Sequence, residues 1–234
     1  MFYGDVPYGK TPTTATSWAA GFSGRRLVLC WPWLTVLEND QTVALPPSAF
    51  VLGAAVEKDF RRGIHKNVGN EKLPYATGLE YYVSRAEGEV VNDAGIVCIR
   101  KFTPGGIKVY GGRTMSTTTA FRFIHFSELW NFIGRSLEVA TQDVPFEPND
   151  QVLWKGVIRR ISAFMDNLQR QRALFDTNNP DGKAYVVKMD AENNPQDQVA
   201  LGIAFCQVEY VPVGTAEKFV IELTSSPMGL TLIE

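Results

Sequence analysis

The sequence predicts a mixed fold in which an α/β region, residues 1–117, is followed by an α+β region, residues 118–234. Before residue 116, short apolar runs alternate with helical patterns, which is typical of an α/β layer with a largely buried sheet. After the polar stretch 116–119, two long helical patterns come first and strand patterns follow. This second order indicates an α+β domain.

The first region contains three strand patterns and two helical ones. Strands are expected at 27–30, 96–99 and 107–110, because each is a short apolar run. Glycine pairs at 105–106 and 111–112 bracket the third strand. A helix is expected at 47–62, and a weaker helical pattern covers 82–92.

The second region opens with two amphipathic helices. Apolar residues three and four positions apart give the first helix one apolar face; they are Phe126, Leu129, Trp130, Ile133, Leu137 and Ala140. Pro145 and Pro148 end this helix, and Asn149 or Asp150 can cap the next one. The stripe of the second helix consists of Trp154, Ile158, Ile161, Met165 and Leu168. After a turn at 178–182, strands are expected at 184–189, 199–208 and 219–223.

Composition narrows the class of protein. The chain has 234 residues, 45% of them hydrophobic, and a net charge of -2. Phosphate binding calls for a basic surplus, so no nucleic-acid partner is expected. No run approaches the roughly 20 apolar residues of a membrane-spanning helix, so we expect no membrane insertion. Cys30, Cys98 and Cys206 lie in apolar runs without CxxC spacing and are interpreted as buried thiols in a reducing compartment.

The residues give no pattern of a catalytic, metal or cofactor site. Neither His65 nor His125 accompanies a recognisable nucleophile motif such as GxSxG. Asp190, Glu192 and Asp197 lack the ordered spacing of a calcium site. The glycine pairs lack the strand, GxGxxG and helix order of a dinucleotide site. We therefore expect no enzyme activity, no metal and no cofactor.

The block at 102–115 and a series of other motifs carry a family resemblance. Its sequence FTPGGIKVYGGRTM resembles the "G-I-x-V-W-G-A-R-T" block of contractile tail sheath proteins. Further similar segments occur in the same order; they lie at 2–18, 27–34, 46–59, 63–70, 92–100, 146–154 and 184–190. Among them, 146–150 is similar to "F-E-P-N-D" and 63–70 to "G-V-x-K-A-P-A-N".

The resemblance implies a fold and a function. It implies a partial subtilisin-like sheath domain followed by a sheath C-terminal domain, the chain matching the C-terminal part of the family sequence. It also implies a structural subunit that forms stacked hexameric rings with itself and contracts to drive an inner tail tube through a cell envelope. Baseplate and tail terminator proteins would be further partners. The particle would be a virion tail or a phage-tail-like particle, assembled in the bacterial host cytoplasm.

The family resemblance makes two sets of residues candidates for contacts with the tube and with neighbouring subunits. Lys155, Arg159 and Arg170 share a helix face within about 60°, and the family's C-terminal domain faces the tube, so these residues are tube-facing candidates. A solvated face, partly neutralised by an Asp166–Arg170 pair, is the alternative. The alternating or adjacent apolar residues near the C-terminus are inter-subunit strand candidates; they are Phe219, Val220, Ile221, Leu223, Leu230, Leu232 and Ile233. An edge strand within the chain is the alternative there.

Two other functions stay open on the sequence. One is an α/β hydrolase-like enzyme with an unrecognised site. The other is an interaction module that derives from a sheath protein and no longer assembles.

Overall fold

The computed structural model describes residues 1–217. In chain order the strands are β1 (Phe2–Asp5), β2 (Leu27–Trp31), β3 (Leu34–Glu38), β4 (Gln41–Leu45), β5 (Gly78–Leu79), β6 (Ile96–Phe102), β7 (Gly106–Val109), β8 (Tyr185–Lys188) and β9 (Gln207–Tyr210). The helices are α1 (Pro12–Ala19), α2 (Ser48–Arg62), α3 (Arg85–Asp93), α4 (Ile124–Ala140), α5 (Gln151–Arg170) and α6 (Gln196–Ala200), with a 3-10 turn at Thr119–Phe121. Helices and strands are mixed throughout, which confirms the predicted class.

The first half is built around a sheet in the order β1-β2-β6-β7. The first three strands are parallel, and β7 runs antiparallel to β6. Parallel neighbours need a connection that crosses the sheet; α1 lies between β1 and β2, while α2 and α3 lie between β2 and β6. The strands predicted at 27–30, 96–99 and 107–110 are confirmed.

Side chains of the parallel strands enter two apolar layers, because successive residues of a strand point to opposite faces. Val28 and Cys30 pack in the layer that contains α2. Leu29 and Trp31 pack in the layer that contains α1 and α3. Helices thus cover both faces of the sheet, which explains why β2 and the first part of β6 are continuous apolar runs in the sequence.

A hairpin between β3 and β4 was not predicted from the sequence. Its two loop residues, Asn39 and Asp40, have φ values of 49° and 61°. Positive φ at both positions is the type I′ turn that suits the twist of paired strands, and Asn and Asp tolerate it better than most residues. β5 pairs with the other edge of β3 and completes a three-stranded sheet.

The second half packs α4 and α5 with the two-stranded sheet of β8 and β9. Its core contains most of the predicted apolar positions; the buried ones are Leu129, Ile133, Trp154, Ile161, Met165 and Leu168. Five predicted positions are not fully buried: Phe126, Leu137, Ala140 and Ile158 are half-buried, and Trp130 is exposed. Val157 is buried where Ile158 was expected. Trp130 is 48% exposed and rests edge-on against Phe121, because it lies beside the buried face that Leu129 and Ile133 define.

The strand predicted at 199–208 is wrong. Residues 196–200 form α6, and within the predicted range only the last two residues belong to β9. Gly202 has a φ of 74°, a left-handed conformation that breaks an extended run. Short apolar segments do not distinguish a strand from a helical turn by pattern alone. The strand predicted at 184–189 is confirmed as β8.

The thiols differ in their surroundings. Cys30 in β2 and Cys98 in β6 are buried, as expected, and burial raises the pKa of Cys98 to about 12. Cys206 is half-buried and lies just before β9 rather than inside a strand.

None of the helices within residues 1–217 is both long enough and apolar enough to span a membrane.

Candidate functional site

Helix α5 presents a basic face to solvent. The Asp150 carboxylate begins the helix, accepting hydrogen bonds from the backbone N–H groups of Val152 and Leu153 at 2.8 and 2.9 Å. This is the predicted N-cap. The buried stripe of α5 faces the core of the second half, so the opposite side of the helix faces outward.

Three cations of this outward side form what we call the basic ridge: Lys155, Arg159 and Arg170, all exposed. Because α-helical residues advance about 100° each, the three lie within about 60° around the helix axis. Among residues 1–217, no carboxylate lies within ion-pair distance of any of them. Within this part of the chain, no ion pair therefore neutralises the positive charge of the basic ridge.

The alternative in which Asp166 forms an ion pair with Arg170 is not observed within residues 1–217. Asp166 accepts a hydrogen bond from the Tyr185 hydroxyl at 2.5 Å and lies 3.3 Å from Lys183 Nζ. These contacts hold the pKa of its carboxyl below the usual value, the Tyr185 hydrogen bond first. Tyr185 is the first residue of β8, and Lys183 lies just before that strand. Because β8 packs on α5, these tertiary partners take the place of a local pair between Asp166 and Arg170.

A fourth cation of α5, Arg160, was missed by the sequence reasoning. Its Nη2 donates to Asp143 Oδ2 at 2.8 Å, and its Nη1 also contacts the carbonyl of Ala140. The contact joins α5 to the end of α4. Arg160 is therefore a link between helices and not part of the basic ridge.

The sheet of β8 and β9 has two strands within residues 1–217. Their register pairs Tyr185 with Tyr210 and Lys188 with Gln207. Within residues 1–217 no third strand joins this sheet, although Leu174 forms an isolated antiparallel bridge with Pro212 just after β9. An unpaired strand edge is a template for strand addition. The predicted inter-subunit strand residues, Phe219, Val220, Ile221, Leu223, Leu230, Leu232 and Ile233, lie outside the described residues.

The motif at 146–150 organises the start of α5. Asn149 accepts a hydrogen bond from Trp154 Nε1 at 2.7 Å and donates to the Ile203 carbonyl at 2.9 Å. Phe146 is the exception, since its side chain is fully exposed and its φ is 73°. The motif thus fastens α5 to the loop after α6.

The glycine-rich block at 102–115 meets the motif at 63–70. Buried Asn67 donates from Nδ2 to the Gly112 carbonyl at 3.1 Å and accepts from the Gly69 N–H at 3.2 Å. A Cβ atom at position 112 would lie 1.8 Å from Asn67 Oδ1. Glycine at 112 therefore permits the close approach that joins two motifs distant in the sequence.

The two histidines do not form a catalytic arrangement in the described part. His125, the second residue of α4, is buried, and its Nε2 lies 3.2 Å from Thr215 Oγ1. Burial lowers its pKa to about 4. Partial burial lowers the pKa of His65, with Lys58 and Arg62 adding to the effect. Within residues 1–217, neither ring is hydrogen-bonded to a carboxylate or a serine.

The acidic loop after β8 is internally bonded. Asp190 accepts hydrogen bonds from the backbone N–H groups of Glu192 and Asn193 at 2.9 and 3.3 Å. Across residues 1–217, no group of three or more His, Cys, Asp or Glu side chains is placed to hold a metal ion.

Comparison with solved structures finds contractile sheaths. The sheath complex of PVC, an extracellular contractile injection system, in the contracted state is 26% identical with a TM-score of 0.84, over 96% of this chain and 64% of that chain. The helical sheath of the anti-feeding prophage in the contracted state is 28% identical with a TM-score of 0.83, over 96% and 61%. The chain spans 60 to 64% of the length of these injection-system chains.

A more distant structure shares the fold alone. The sheath tail protein of Desulfitobacterium hafniense is 13% identical with a TM-score of 0.57, over 80% of this chain and 42% of that chain. A comparison with curated proteins found no match.

Family models describe nearly the whole chain. The phage tail sheath protein central domain matches residues 2–115, and the phage tail sheath C-terminal domain matches residues 116–224. The chain therefore belongs to the phage tail sheath family.

Proposed function

We propose that this chain is a structural subunit of a contractile sheath that surrounds an inner tube and contracts to drive the tube through a cell envelope. The observation that carries the proposal is the match of 96% of the chain to contracted sheaths of two injection systems at 26 and 28% identity. Family membership over both halves supports it.

The proposed role is mechanical and without catalysis. Contraction would draw on a metastable arrangement of subunits, in which rigid bodies rotate between two packings. The subunit would form hexameric rings that stack helically, with the baseplate at one end and a terminator protein at the other. The sheath relatives come from baseplate and helical sheath assemblies, which supports placement in a tail or tail-like particle. Assembly in the bacterial host cytoplasm is a further part of the proposal.

The basic ridge is the proposed contact with the tube. It consists of exposed cations on one face of a well-anchored helix, without carboxylate partners among residues 1–217. An exposed ion pair contributes only about 0 to 1 kcal/mol. A set of such pairs suits a sheath that must hold the tube before contraction and release it afterwards.

Strand exchange is the proposed link between subunits. The sheet of β8 and β9 has only two strands in the described part of the chain, and the sequence after residue 217 contains alternating apolar residues. Addition of a strand from one chain to a free edge of another satisfies backbone groups on both. We propose that the C-terminal residues of one subunit add to the sheet of its neighbour.

Deletion of residues 228–234 tests this link. We expect a folded monomer that no longer enters sheath assemblies, because a strand that serves a neighbour contributes nothing to its own domain. Replacement of the same seven residues by glycine and serine controls for length. Circular dichroism reports folding, and sedimentation velocity reports assembly. A truncated chain that unfolds, or that assembles as well as the intact one, would contradict strand exchange.

A further inference from the structure

The Arg113 side chain is a buried cation to which the sequence assigned no role. It is 6% exposed, and all three guanidinium nitrogens are hydrogen-bonded. Nη1 donates to Asp93 Oδ1 at 2.8 Å and to the Asn92 carbonyl at 3.2 Å. Nε donates to Glu217 Oε1 and Oε2 at 3.0 and 3.1 Å, and Nη2 donates to the same carboxylate.

Two of the Arg113 hydrogen bonds cap the C-terminus of helix α3. Asn92 and Asp93 are its last two residues. Carbonyl groups at a helix C-terminus lack intrahelical donors and carry partial negative charge. Arg113 supplies both a donor and a positive charge there, so these bonds do not depend on Glu217.

The other hydrogen bonds of Arg113 reach the segment that follows β9. Glu217 belongs to the second half of the chain, and Asn92 Nδ2 also donates to its Oε1 at 3.3 Å. A guanidinium that donates two parallel hydrogen bonds to one carboxylate is a strong and directional contact. It joins residues 104 positions apart in the sequence.

Other contacts between the halves are made mainly by α4. Tyr3 donates to Glu128 at 3.3 Å, and Arg26 donates to Asn131 at 3.1 Å. The three apolar cores belong almost wholly to one half each, with Ile124 the buried residue that crosses over. Interfaces between domains that are small or polar permit relative motion. The segment after β9 starts on the second half, where Val211 and Val213 donate backbone hydrogen bonds to Ala184 and Ala173. Its end, Glu217, is bound to the first half through Arg113 and Asn92 and not through a shared core.

We propose that the Arg113–Glu217 contact is a latch, which holds Glu217, the end of the segment 211–217, against the C-terminus of α3 and can open while both halves stay folded. When the latch opens, Arg113 keeps Asp93 and the Asn92 carbonyl as hydrogen-bond partners, so its charge is not left unpaired. A cleft of about 1340 Å³, lined by Arg113, Asn92 and Glu217 among others, gives water access to the freed groups. This inference is independent of sheath assembly.

Hydrogen exchange of the full chain, followed by mass spectrometry, tests the latch. The readout is the peptide covering 211–217, where the Val213 N–H donates to the Ala173 carbonyl at 3.0 Å. Glu217→Gln keeps the shape of the side chain and removes its charge. We expect exchange in this peptide to become about tenfold faster, with α3 and α5 unchanged.

Two further variants sharpen the result. Arg113→Lys keeps the charge but cannot donate the paired bonds, so it should accelerate the same peptide. Glu209→Gln, an exposed acid of β9 without an ion pair among residues 1–217, is the matched control and should exchange like the wild type. Exchange in Glu217→Gln that equals the wild type, or that rises equally throughout both halves, would overturn the latch.

Discussion

At the scale of single residues, the buried side chain of His125 makes the stability of the protein depend on pH. His125 is 1% exposed at the start of α4, and burial lowers its pKa to about 4. An unfolded histidine has a pKa near 6.5. Between these values the unfolded chain binds more protons than the folded one, so this residue makes the protein less stable as the pH falls from about 6.5 to 4.

His125→Gln should remove that component of the pH dependence. Between pH 7.5 and pH 4.5 the wild type should lose about 2 to 3 kcal/mol of unfolding free energy through this residue, and the variant should not. Urea unfolding at both pH values measures the difference. His65→Gln is the matched control, because His65 is only partly buried. Equal pH dependence in the wild type and His125→Gln would show that the buried ring does not titrate in this way.

Local residue roles were predictable, whereas distant ones were not. Asp150 was a predicted N-cap because its partners lie two and three positions along the chain. The Asn67–Gly112 contact joins residues 45 positions apart. Nothing in the spacing of single residues indicates that such a pair meets, and the same holds for Arg113 and Glu217.

Among the helices and strands, amphipathic helices were the easiest to predict. α4 and α5 run for 17 and 20 residues, so their apolar period is repeated several times. α1 was missed because its eight residues include three threonines, which are poor helix formers. It is stabilised instead by a capping box in which Thr11 and Thr14 bond each other's backbone N–H groups.

Charge reversal on the basic ridge tests the role of α5. The triple variant Lys155→Glu, Arg159→Glu and Arg170→Glu should weaken co-sedimentation with the tube protein by about tenfold or more, because attraction becomes repulsion at three exposed sites. Each exposed change should alter stability by no more than about 0.5 kcal/mol. Thermal unfolding checks that the fold persists.

A second triple variant separates the ridge from a general charge effect. Arg62→Glu, Lys72→Glu and Lys101→Glu make the same change of charge at exposed positions of the first half. This variant should bind the tube as the wild type does. Undiminished tube binding by the ridge variant at moderate salt would remove the ridge from the proposed interface.

At the scale of the whole molecule, the sequence patterns did not predict the order of the strands in the sheet. β1, β2 and β6 are neighbours in one sheet although about 90 residues separate the first from the last. The family resemblance, carried by ordered motifs, indicated the family and its function, but the sequence analysis predicted no strand order. The division at 116–119 remains a prediction. The polar contacts of α4 and Arg113, together with the buried side chain of Ile124, join its two sides.

The central proposal is that this chain assembles as a sheath, and electron microscopy of the full chain expressed together with its tube protein tests it most directly. We predict tubes enclosed by stacked six-fold rings, and no enclosed tubes when residues 228–234 are deleted. Bare tubes beside a folded, monomeric chain would contradict the proposal and would favour an interaction module that no longer assembles.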